Sequence, residues 1–217
     1  MKAGTTTLHE YCCRHPEIFS VQEVDWFFAH GPKPRGSQAE YEAQFPDHVA
    51  VRGEISSHYD HYLPRIAEVY PGIKLIYVVR NPIDRFISDV RHMQTFDDRP
   101  DFTIENILAS YWSGRETYWQ ISSGFYQRPI MCARRLGLPL HLINFDILVR
   151  DQQTVWDGVT DYLGVARFAC NPIHAHSSDG RVTIMLTDDQ YAQLETIYAP
   201  TLKFLRDTYA IEFESAR

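Results

Sequence analysis

Two short stretches of this chain carry groups suited to holding an oxyanion. Near the N-terminus, Lys2, Ala3, Gly4, Thr5, Thr6 and Thr7 run directly into Leu8, Tyr11, Cys12 and His15, which share one face of a helix that must end by Pro16. A loop of small residues therefore opens a helix. Amide N–H groups at a helix start converge on an anion with the positive end of the peptide dipoles behind them, and the threonine hydroxyls and the Lys2 ammonium add donors. The pattern is not GxxxxGK[ST], where the lysine follows the second glycine, because Lys2 precedes Gly4. The second stretch holds Arg80, whose planar fork suits a phosphate monoester, and Ser88, about two helical turns further on.

Both stretches need a scaffold, and the sequence supplies one. Residues 74–79 (KLIYVV) follow the turn signal Pro71-Gly72 and read as a buried central strand. After Arg80, Asn81 can cap, Pro82 fits a first helical position and Asp84 falls in the first turn, so a helix starts there. Ile83, Phe86, Ile87 and Val90 form its buried stripe, which leaves Arg85, Ser88 and His92 on a polar face open to a ligand. Residues 140–145 (LHLINF) and, more weakly, 48–52 read as flanking strands. Helical periodicity runs over residues 103–120, 125–136 and 188–207, and Gly164 closes another helix. Tyr111, Trp112, Tyr118 and Trp119 of the middle stretch read as core. The alternation predicts an α/β fold with a parallel sheet. Neither a repeat nor a domain boundary stands out, so residues 1–217 read as one domain, with mobile segments expected at 31–38, 94–101 and 171–180.

Taken together, KAGTTTL at residues 2–8 and KLIYVVRNPIDRFIS at residues 74–88 resemble the two donor-binding signatures of the PAPS-dependent sulfotransferases, carbohydrate-type, heparan-sulfate-type and bacterial members included. The resemblance implies a three-layer, P-loop-like α/β fold in which helices flank a central parallel sheet. It also implies 3′-phosphoadenosine 5′-phosphosulfate (PAPS) as sulfuryl donor and no metal. On it, Lys2, Ala3, Gly4, Thr5, Thr6 and Thr7 hold the 5′-phosphosulfate, while Arg80 and Ser88 bind the 3′-phosphate. Residues 21–28 (VQEVDWFF) look like the segment where carbohydrate-type members carry a glutamate before aromatics, which makes Glu23 the candidate catalytic base. Residues 53–59 (GEISSHY) resemble the family's GE-x-[ST]-P-x-Y stretch, with Ser57 where proline is common and Ile55 where some members have lysine. Ser123-Gly124-Phe125-Tyr126 is similar to the S-x-Y region, and Gly180 and Arg181 look like the loop that closes on the donor. The family's strand before the first motif is missing, since Met1 adjoins Lys2, so the chain reads as N-terminally truncated relative to the family.

Sulfuryl transfer needs an in-line nucleophile and neutralisation of charge on the leaving phosphate. Lys2 can donate to the bridging oxygen as that bond breaks. For the base, Glu23 ranks ahead of Glu54, His58 and His92. The acceptor is expected to be a hydroxyl or amine of a carbohydrate or small molecule, met by the segments at 31–46 and 94–103.

Composition sets limits on this reading. A formal charge of −7 argues against a large nucleic-acid-binding face. Cys12, Cys13, Cys132 and Cys170 have no metal-site spacing and read as buried thiols. Without an apolar run of membrane-spanning length or a leader pattern, the expected location is cytoplasmic. Two rivals stand beside the sulfotransferase reading. A P-loop small-molecule kinase should carry the GK[ST] lysine, absent here, and an acid for magnesium; a non-catalytic nucleotide-binding protein would bind without turnover.

Overall fold

The computed structural model describes residues 3–22, 37–56, 59–96, 102–114, 118–169, 171–173 and 183–214. In chain order the elements are α1 (Thr5–Arg14), β1 (Ile18–Gln22), α2 (Gln38–Glu42), β2 (Val51–Ile55), a 3-10 turn (Tyr59–His61), α3 (Leu63–Val69), β3 (Leu75–Val79), α4 (Pro82–Phe96), α5 (Ile104–Ser113), α6 (Trp119–Ser122), α7 (Gln127–Arg135), β4 (Leu140–Asn144), α8 (Phe145–Arg150), α9 (Gln152–Leu163) and α10 (Asp188–Tyr209). The architecture is α/β, with paired short strands flanked by helices. Backbone packing divides the chain into two compact units, one made of Gly4–Val78 and Pro129–Ala175, the other of Met1–Ala3, Val79–Arg128 and His176–Arg217.

The first unit contains the β1–β2 pair and nearly all of the β3–β4 pair. β1 and β2 run parallel, from Ile18 opposite Val51 to Gln22 opposite Ile55. Parallel pairing demands a crossover, and α2 lies within it. The sequence predicts a flanking strand only over 48–52 in this region and none over 18–22. Five residues behind Pro16 carry too little periodicity to announce a strand, and the ladder draws Gly53 and Glu54 into β2 opposite Ser20 and Val21. The end of α1 is tied down by His15, whose Nδ1 accepts from the Glu17 amide (3.1 Å) and whose Nε2 meets the Ala166 carbonyl (2.8 Å). Buried Trp156 of α9 packs against Tyr11 and His15, at ring separations of 5.4 and 5.9 Å.

The second unit is mainly helical. Ile83, Phe86 and Val90 of α4, Ile107 and Leu108 of α5, Ile121 of α6, and Leu194 and Tyr198 of α10 form one apolar cluster. Full burial of each large aliphatic or phenyl side chain contributes about 1.5–3 kcal/mol. The helix expected over 103–120 is broken: Gly114, in the left-handed region at φ 65°, ends α5. Trp112, expected in the core, is 54% exposed and donates from Nε1 to Gln193 Oε1 (2.7 Å). Thr187 and Gln190 form a capping box at the start of α10.

Most of residues 31–38, 94–101 and 171–180 lies outside the described residues. Of what is described, Ser37 caps α2 and Gln94 sits in α4, donating to the Phe102 carbonyl at 3.1 Å. Among the described residues, no helix is long and apolar enough to cross a membrane.

Candidate functional site

α1 starts without a side-chain cap. Gly4 occupies the N-cap position at φ 84°, ψ 16°, and the first intrahelical bond runs from the Leu8 amide to the Gly4 carbonyl at 3.2 Å. The Thr5, Thr6 and Thr7 amides precede that bond, so helix geometry offers them no carbonyl partner. Ala3 and Thr7 are buried, whereas Thr5 and Thr6 are half-buried. Two features keep Gly4 a glycine. Its positive φ disfavours a side chain, and a Cβ would lie 2.8 Å from Leu148 Cδ2 and 3.1 Å from Phe145 Cε2. The first turn of α8, capped by Asn144 Oδ1 accepting from the Asp146 amide (2.9 Å), thus backs the loop. Phe145 and Leu148 were not among the expected site residues; their signal was the apolar run that continues past the strand at 140–144.

The second stretch lies in the other unit. β3 ends at the fully buried Val79, and the half-buried Arg80 follows. The Arg80 amide donates to the Tyr126 hydroxyl at 3.4 Å. Asn81 does what its position predicts: Oδ1 accepts from the Ile83 amide (2.9 Å) and the Asp84 amide (3.4 Å). Ser88 and His92 are half-buried on α4.

Arg85 does not share their face, contrary to the sequence reading. It is 1% exposed, and it donates from Nη1 to the fully buried Asp89 at 2.9 Å and from Nη2 to the Gln120 carbonyl. A guanidinium can be withdrawn from water only when such partners meet its fork, and the i, i+4 carboxylate with a main-chain oxygen does so. Burial acts to lower the Arg85 pKa, but Tyr126, Tyr198 and Asp89 outweigh it, and the net direction is upward.

Of the base candidates, Glu54 Oε2 accepts from Tyr41 (2.8 Å) and Tyr59 (2.5 Å). Burial, then the Glu54 charge and bond, push the Tyr41 phenol far above its usual range, so it stays a donor. Glu54 therefore ties β2 to α2 and to the 3-10 turn. Lys2, Glu23, His58, Gly180 and Arg181 lie outside the described residues, as does Cys170. Cys12 is buried, which pushes its thiol up to about 12, but Cys13 is exposed rather than buried and lies 3.5 Å from the His9 ring. Among the described residues, no group of three or more His, Cys, Asp and Glu side chains is placed to hold a metal ion.

Comparison with known proteins bears on the same residues. The sulfotransferase family model matches residues 56–169, more than half of the chain, a span that contains Arg80 and Ser88 and begins beyond Gly4 to Thr7. The crystal structure of a sulfotransferase from Alicyclobacillus acidocaldarius superposes with a TM-score of 0.78 at 22% identity, covering 98% of this chain and 93% of that one. At that identity the likeness is one of fold. No curated protein gives a significant match.

Proposed function

The chain belongs to the sulfotransferase family, and from that premise we propose that it transfers a sulfuryl group from PAPS to a hydroxyl or amine of a carbohydrate or small-molecule acceptor. The observation that carries the donor half of this reading is the start of α1, uncapped by any side chain and held at Gly4 against Phe145 and Leu148. A helix start of this kind suits an anion, through convergent amides and the dipole end. We read residues 1–217 as a single sulfotransferase domain.

When bound, PAPS supplies a sulfuryl group already activated by a phosphate leaving group. The Thr5, Thr6 and Thr7 amides and hydroxyls bind the phosphosulfate oxygens, with Ala3 and Gly4 shaping the loop. The Lys2 ammonium donates to the bridging oxygen, where charge grows as the sulfur–oxygen bond to phosphate breaks. Arg80 meets the 3′-phosphate with its fork, and Ser88 adds a shorter bond. Glu23 takes the acceptor's proton as the new bond to sulfur forms, and Gly180 and Arg181 close over the nucleotide. No step in this scheme calls for a metal.

The test is calorimetric titration with adenosine 3′,5′-bisphosphate in parallel with ADP, without magnesium. The bisphosphate should bind in preference to ADP, and Arg80→Ala should weaken it by about 10- to 150-fold, the loss of charge-assisted hydrogen bonds worth about 1.5–3 kcal/mol. Glu23→Gln should leave that affinity unchanged and remove turnover. Equal affinity for ADP and the bisphosphate would sink the reading.

A further inference from the structure

The guanidinium of Arg80 goes where its main chain sends it, and that main chain sits between a strand that ends at Val79 and a helix that begins at Pro82. The far side of this junction is set locally. Pro82 restricts Asn81 to extended conformations, and the Asn81 side chain closes the first turn of α4. At Arg80 itself the anchor is remote in sequence: the amide donates to the Tyr126 hydroxyl, 46 positions along the chain.

Tyr126 is well suited to hold a fixed position. It is 2% exposed and lies on the short connection between α6 and α7. That connection is locked by its neighbours. A Cβ on Gly124 would lie 2.5 Å from the Tyr198 ring, so the backbone there touches the aromatic face. Phe125 packs on the same ring at a centroid separation of 5.8 Å, and the Tyr198 hydroxyl donates to the Ile121 carbonyl at 3.2 Å. Arg85 binds the next carbonyl back, that of Gln120, and is itself held by Asp89. Burial holds the Tyr126 phenol protonated, against the opposing pull of Arg85 and of the Arg80 amide and charge. The neutral hydroxyl accepts from the Arg80 amide through an oxygen lone pair.

We propose that Tyr126 is a positioning residue for donor binding, which aims Arg80 at the 3′-phosphate by accepting a hydrogen bond from its main-chain amide. This rests on the donor reading above, in which Arg80 meets that phosphate. Tyr126 touches no ligand in this role; it acts through Arg80. The buried Arg85–Asp89 pair and the Gly124–Tyr198 contact hold the segment that carries it.

The experiment is a double-mutant cycle read by titration with adenosine 3′,5′-bisphosphate and with 5′-AMP, which lacks the 3′-phosphate. Tyr126→Phe keeps the ring and should lower bisphosphate affinity about tenfold, the magnitude of one hydrogen bond, with 5′-AMP affinity unchanged. In an Arg80→Ala background the same substitution should cost nothing further. Trp112→Phe removes a hydrogen bond of the same unit, the one to Gln193, that plays no part in holding Tyr126, so it should lower the melting temperature without altering bisphosphate affinity. The proposal is overturned if Tyr126→Phe binds the bisphosphate like wild type, if its effect persists undiminished without Arg80, or if Trp112→Phe weakens binding equally. Wild-type protein that does not prefer the bisphosphate to ADP would bring down the donor reading and this proposal together; a wild-type preference that survives Tyr126→Phe brings down this proposal alone. Should Tyr126→Phe fail to fold, hydrogen exchange at the Arg80 amide of the wild-type protein decides. Strong protection supports the bond, and exchange at the rate of an open amide overturns it.

Discussion

The two stretches proposed to hold the donor begin helices in opposite ways. At α4 the Asn81 side chain occupies the first free amides, and the helix start is a closed, self-sufficient unit. At α1 the N-cap is a glycine with no side chain to offer, and the turn is shaped from outside by Phe145 and Leu148. A capped start is locally stable and has little left to give a ligand; an uncapped one keeps its donors for an anion and depends on tertiary packing for its shape. In the proposed site the α4 stretch accordingly offers side chains alone, Arg80 and Ser88, whereas the α1 stretch adds main-chain amides to the Lys2 and threonine side chains.

The sharpest way to break this contrast is to remove the footing of α4. Arg85→Met leaves Asp89 buried without its guanidinium and should cost about 3–5 kcal/mol in urea denaturation; adding Asp89→Leu should restore much of the loss. A cost near 1 kcal/mol would mean that the pair is not what anchors the helix. Next in size, Gly4→Ala places a Cβ against Leu148 and Phe145 at a positive φ and should cost about 1–3 kcal/mol by thermal denaturation, with loss of bisphosphate binding. Asn81→Ala removes only a cap and should cost about 1 kcal/mol. The smallest effect is a difference in hydrogen exchange: the Thr6 and Thr7 amides should exchange faster than those of Ile83 and Asp84 in the free protein, and slow when the bisphosphate is added. Equal protection in the free protein would erase the distinction between the two starts.

Much of this arrangement is legible in the linear chain where the determinants are near neighbours. The strand at 75–79 with the Asn81-Pro82 helix start, the glycine–threonine entry to α1, the strand at 140–144 and the closure at Gly164 were all expected close to where they occur. Gly114 shows the limit of periodicity, since the apolar pattern runs on through a residue whose backbone ends the helix. Arg85 shows a second limit. A charged residue in an amphipathic helix reads as solvent-facing, and nothing local reveals that the Gln120 carbonyl waits to receive it.

The sequence by itself determined where the helices that carry the candidate donor site begin and which residue types stand at those points, because caps, proline and glycine act over one or two turns. Only the tertiary structure decided the pairing of β1 with β2, the packing of Phe145 and Leu148 behind Gly4, the burial of Arg85 with Asp89 and the bond from Arg80 to Tyr126. Each of these either joins residues far apart in sequence or, like the Arg85–Asp89 pair, is buried only because a remote segment packs over it. Such contacts exist only once the chain has folded, and no local propensity encodes them.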